Sequence, residues 1–174
     1  MNQRGPRLGE PASLWRMRIV PIATVMFASA LPLMLPLVAS SPVLPPLGLL
    51  FFLCWQLLRT EMWPVWIGLP LGLWDDLFSG APIGTAVGLW TIASIAIAYL
   101  SQRIYWRGFL HDWAIGALLV GIIQALAALI THPAAHVGRV LGLVTPQIVV
   151  SILLVPLFLR LTGKFDNFRL KRRY

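Results

Sequence analysis

Long apolar runs, broken at short intervals by proline, glycine or a few charges, are the dominant pattern of this 174-residue chain. A helix needs roughly 20 apolar residues to cross a bilayer, and the runs predict six spans, at about 19–39, 47–58, 64–78, 82–100, 113–131 and 140–161. The second and third are short for the purpose. Pro32 and Pro36 interrupt the first, which predicts a kink whose freed carbonyls must be met by neighbouring helices. Pro64 opens the third in a position where the missing N–H does no harm, and Pro70 is expected to bend it midway. The connections are brief. They are a proline turn at 40–46, Arg59-Thr60-Glu61, Ser79-Gly80-Ala81-Pro82, a basic aromatic loop at 101–112, and a histidine-containing loop at 132–139.

Composition narrows the solvent. Hydrophobic residues make up 58% of the chain and charged ones 11%, against about 25% charged in soluble domains, and mean hydropathy is +0.79. There is too little charge to coat a water-facing globule, so the expected fold is an all-α integral membrane domain. It covers 19–161, between basic tails at 1–18 and 162–174. A cleaved signal peptide is the competing reading of the first run, because Val38-Ala39-Ser40 loosely resembles a cleavage site. The run exceeds the usual 7–15 residues of such a signal.

The net charge of +8 acquires meaning once the spans are placed. With both termini on the cytoplasmic side, all of the 14 Lys and Arg except Arg139 fall there. That one-sidedness is the positive-inside bias, and it favours an even number of spans. A nucleic-acid partner would need a basic face interleaved with aromatics on a folded domain, which is not present. Cys54 lies alone in an apolar run, so no disulfide framework exists.

Candidate chemistry centres on Asp75 and Asp76, the one adjacent acidic pair, at the edge of an apolar run. Ionisable groups at membrane depth are costly and face protein, a cavity or the interface rather than lipid. Asp75 follows Pro64 by 11 residues, roughly 16 Å along a helix, which sets it in the far half of the membrane. Successive helical side chains diverge by about 100°, so the two carboxylates do not address one target. One is expected to face the bundle and the other the interface, in a structural or contact role. Catalysis, a proton relay or a cation site is the alternative.

Gly68/Gly72 and Gly84/Gly88 each have the GxxxG spacing that lets helix backbones approach closely in lipid. Lying on both sides of the acidic turn, they predict tight packing of the third and fourth spans. Gln124 and Gln147 are mid-helix amides expected to bond across helices, and Ser94 extends a small-residue face or bonds back within its own helix. His132 and His136 have i,i+4 spacing, but Pro133 opposes a helix through them and a metal site is not expected. No cofactor motif, Ser–His–Asp set or phosphate-binding loop is present.

The stretch Gly68-Leu-Pro-Leu-Gly72-Leu-Trp-Asp75-Asp76-Leu-Phe-Ser-Gly80-Ala-Pro82-Ile-Gly84 resembles the GLlxDlxsgxplG signature of the MreD family, rod shape-determining membrane proteins of bacteria. The similarity is strong over about 20 residues and otherwise one of layout. Asp76 matches the family's aspartate by its distance to Gly80, Pro82 and Gly84, and Asp75 is the departure. The resemblance implies a fold similar to the six-helix substrate-binding (S) components of energy-coupling-factor vitamin transporters. It also implies a non-enzymatic role in cell elongation, with the MreC membrane anchor as partner, alongside MreB, RodA and a class B penicillin-binding protein. Gly68, Gly72, Asp75, Asp76, Gly80, Pro82, Gly84 and Gly88 form the implied structural and partner motif. The alternative function is a vitamin-binding transporter subunit, which requires polar groups converging on a cavity. An intramembrane enzyme is a weaker third.

Overall fold

A computed structural model describes residues 14–34, 44–103 and 108–170, with side chains for 19–34, 44–103 and 108–168. The described residues form helices α1 (Leu14–Met34), α2 (Leu47–Leu58), α3 (Gly68–Ser79), α4 (Thr85–Arg103), α5 (Phe109–Thr131) and α6 (Val137–Leu170), with a 3-10 turn at Val65–Ile67 and no strand. Three of them, α4, α5 and α6, are long and apolar enough to cross a membrane; α2 and the 19–34 part of α1 are shorter apolar helices. The N-terminal tail residues 1–13, Pro36, most of the proline turn, the aromatic pair Tyr105 and Trp106, and the last four residues lie outside the described part.

The chain is arranged around α2. Its sequence LGLLFFLCWQLL is apolar on every side, the mark of a helix with no water-facing stripe, and Leu50, Phe52, Leu53, Cys54 and Trp55 are all fully buried. Phe52 stacks on Trp90 of α4 with ring centroids 4.6 Å apart, and on Trp63 at 5.9 Å. Polar ties fix the register. Trp55 Nε1 donates to Thr24 Oγ1 of α1 at 3.0 Å, and Gln56 Nε2 donates to Ser94 Oγ of α4 at 3.1 Å. Ser94 also bonds back to the Trp90 carbonyl of its own helix at 3.0 Å. Such bonds hold a helix against its neighbours where lipid supplies no hydrophobic drive between them.

Two expectations are corrected. The third run is not a helix opening on Pro64 and bent at Pro70. Pro64 is extended, with φ −65° and ψ 149°, ahead of the 3-10 turn. The α-helix starts at Gly68, which puts Pro70 in its first turn, where proline breaks no internal bond. Nor does the helix of the sixth run stop near the expected end of the span at Leu161, because α6 continues unbroken to Leu170 through Pro146 and Pro156. Thr162 and Asp166, four residues apart, are both buried on one face. Arg59 at the end of α2 donates through Nε (3.2 Å) and Nη2 (3.0 Å) to Asp166 Oδ2, tying the extension to the bundle. Charge density in 162–174 reads as a tail in the sequence, whereas the i,i+4 pattern within it is that of a docked helix.

Candidate functional site

Within α3, Gly68, Gly72 and Asp76 recur every fourth residue and so share one face. That face is pressed against α4. A Cβ on Gly68 would lie 2.7 Å from the Thr91 backbone nitrogen, and one on Gly72 would lie 2.7 Å from the Ala86 carbonyl and the Val87 Cα. Only glycine allows the two backbones this close. Asp76, one turn further on, then meets the start of α4 directly.

The Asp76 carboxylate is 3% exposed and accepts three backbone N–H groups. Gly84 donates to Oδ2 at 2.8 Å, Ala86 to Oδ1 at 2.8 Å and Val87 to Oδ2 at 3.3 Å. The first N–H groups of a helix have no acceptor within it, and the N-terminus carries partial positive charge. Asp76 therefore caps α4 from a different helix. Burial of the charge is compensated by three charge-assisted bonds and the helix dipole.

The intervening turn is shaped to allow this. Gly80 has φ +68° and terminates α3 in the left-handed region, and Gly84 has φ +104° immediately before α4. Both conformations are costly for residues with a Cβ. Thr85 donates its N–H (3.1 Å) and Oγ1 (2.8 Å) to the Pro82 carbonyl, completing the first turn. Gly84 thus serves as a turn residue. Gly88 has open space where a Cβ would be, so the second GxxxG pair makes no backbone approach among the described residues. The tight seam comes from the Gly68/Gly72 pair.

Asp75 takes the other direction, as the angular argument requires. It is half-buried and faces α1 and α2. A Cβ on Gly48 would collide with Ser29 Oγ and lie 3.0 Å from Asp75 Oδ1. Ser29 Oγ is buried beside the carboxylate without a hydrogen bond of good geometry.

Asp75 lines two adjoining cavities at this end of the bundle, of about 320 and about 590 Å3. The smaller lies among α3, α4, α5 and α6, the larger between α1 and the start of α2, and Pro46, Ser79 and Gln147 also border both. Gln147 bonds outside its own helix, though to the loop ahead of α2 rather than to another helix, donating from Nε2 to the Leu44 carbonyl at 2.8 Å. Gln124 does not. It is 6% exposed, lines the smaller cavity, and neither its Oε1 nor its Nε2 has a hydrogen-bond partner among the described residues.

His132 borders the smaller cavity. His136 lies in the next turn, where its carbonyl accepts from Arg139 and Val140, so the two histidines do not share a helix face. Among the described residues no three His, Cys, Asp or Glu side chains group to hold a metal. The Gln56–Ser94 and Arg59–Asp166 pairs escape a sequence reading because their members lie 38 and 107 residues apart. The four-residue period running through Gly68, Gly72, Asp76 and Gly80 was the available signal for the α3–α4 clasp. Compared with protein-family models, curated proteins and solved structures, the chain has no match in any of the three.

Proposed function

We propose that this protein is a non-enzymatic scaffold of the bacterial inner membrane, of the MreD type. In this reading it crosses the bilayer six times with both termini cytoplasmic, and it resembles an S component in fold. It maintains rod shape by holding the MreC membrane anchor and, with it, the RodA and class B penicillin-binding protein synthase near MreB. What supports the reading is the use made of Asp76 within the signature stretch. Its carboxylate is occupied by three backbone N–H groups of α4, so the acid shared with the family pattern belongs to the architecture of a hairpin. A neighbouring face of α3, about 100° round from the seam, also favours a helical partner. Trp66, Leu69, Leu73 and Leu77 are exposed at helical spacing, an apolar stripe available to another membrane helix.

Depletion of the protein is expected to turn rods into spheres without abolishing uptake of any small molecule. Mild-detergent purification of a tagged chain is expected to bring down the MreC-like protein. Rods that keep their shape on depletion would refute the proposal.

A further inference from the structure

We infer that the basic end of α6, with the start of α5 beside it, is a docking surface for an anionic phospholipid. Arg160 and Lys164 hold the phosphate, and the acyl chains lie on the apolar residues next to them. The inference goes beyond the scaffold reading and does not rest on it. The distribution of side chains around α6 is the first ground. Leu153, Leu157, Arg160, Lys164 and Phe168 are all exposed, and their spacings of three and four residues put them on one face. That face is aliphatic as far as Leu157 and basic from Arg160 on. The change takes less than one turn, roughly 5 Å along the axis, as in a helix that leaves hydrocarbon for the headgroup layer.

Charge supplies the second ground. Residues 160–173 carry six cations, Arg160, Lys164, Arg169, Lys171, Arg172 and Arg173, against one acid, Asp166. Such a cluster just past a membrane helix attracts anionic lipid. The fold takes the acid off the exposed face, because Asp166 is buried on the opposite side and accepts both bonds from Arg59. The positive-inside bias asks only that cations lie on one side of the membrane; it does not require acid and bases to take opposite faces of a helix. Neither Arg160 nor Lys164 pairs with a carboxylate among the described residues, and Asp112, in the first turn of α5, is half-buried with a partner of its own.

The apolar neighbours are the third ground. The Arg160 guanidinium lies 5.8 Å from the centroid of the Phe109 ring, a cation–π contact that steadies a fork of N–H donors suited to a phosphate. Phe109 and Leu110 are themselves exposed. An acidic protein segment would satisfy the cations and leave Leu110 and Leu157 uncovered. A phospholipid brings a phosphate and apolar chains in one molecule, and so meets both.

The test is native mass spectrometry of the full chain in neutral detergent, titrated with phosphatidylglycerol or with phosphatidylcholine of the same chain length, and with glycerol phosphate as the headgroup alone. Phosphatidylglycerol is expected to stay bound at collision energies that strip phosphatidylcholine, and glycerol phosphate not to be retained. Arg160→Gln and Lys164→Gln should each weaken phosphatidylglycerol binding roughly fivefold. Arg139→Gln, which removes a cation from the other end of α6, should leave it unchanged. Both test side chains are exposed, so the melting temperature in phosphatidylcholine nanodiscs should not move, and either variant suffices if the other fails that check. Equal retention of the two lipids, retention of glycerol phosphate as strong as that of the lipid, or equal binding by the wild type and the folded variants would overturn the inference.

Discussion

Replacing Asp76 by leucine should destabilise the protein by about 3 kcal/mol, because three backbone N–H groups at the start of α4, that of Ala86 buried, lose their acceptor and a buried unsatisfied group costs roughly 1–3 kcal/mol, offset in part by no longer burying a charge. Asp76→Asn should lie between, since its one carbonyl oxygen keeps some of the bonds. Asp75→Asn is the control. No backbone N–H among the described residues bonds to Asp75, so its loss should fall within about 1 kcal/mol. Equilibrium unfolding in mixed micelles measures all three. On the proposed scaffold role, Asp76→Leu should impair rod shape in cells while the protein still inserts in the membrane, as expected if the defect lies in the hairpin's geometry. Equal losses for the two aspartates would remove the distinction drawn between them.

That distinction was half legible in the sequence. The divergence of about 100° between neighbouring side chains separates Asp75 from Asp76 without any structure, and the rarity of charge in apolar runs marks both as purposeful. Which of them turns toward α4 depends on the face that α3 presents. The glycines at 68 and 72 already specify that face, once the acid at 76 is counted in the same period. The second GxxxG misleads for a physical reason. Spacing alone does not reveal that Gly84 lies in the turn with a left-handed φ and that Gly88 faces open space.

Helix existence was equally readable, since α2 spans the predicted 47–58. The end of α6 was harder to read, because the charge density of 162–174 masks the i,i+4 spacing of Thr162 and Asp166, and the Arg59–Asp166 contact joins residues far apart in the chain. Gln124 looked like an ordinary interhelical amide. That its two polar atoms find no partner among the described residues is a property of the assembled bundle.

The second large effect concerns the seam itself. Gly72→Ala should cost about 3 kcal/mol, the upper part of the range for overpacking, because the new methyl would sit 2.7 Å from the α4 backbone. Backbone cannot rotate aside as a side chain does, so α3 and α4 must separate and the Asp76 bonds lengthen with them. Gly88→Ala has no such obstacle. It should be neutral or stabilising by up to about 1 kcal/mol, the helix-propensity gain of alanine over glycine. The pair of variants separates a packing role from a general intolerance of side chains in the GxxxG positions, and the same unfolding titration reads both. Destabilisation by Gly88→Ala as large as that by Gly72→Ala would mean that the outer face of α4 is also a closed contact.

The most direct test of the Asp76 clasp is hydrogen exchange of the backbone amides of Gly84, Ala86 and Val87 in nanodiscs, compared between the wild-type chain and Asp76→Leu. Slow exchange at these three amides in the wild type, lost in the variant while the amides of α5 stay protected, is the predicted result. Equal protection of the three amides in both proteins would contradict it, since the start of α4 would then be held by something other than this carboxylate.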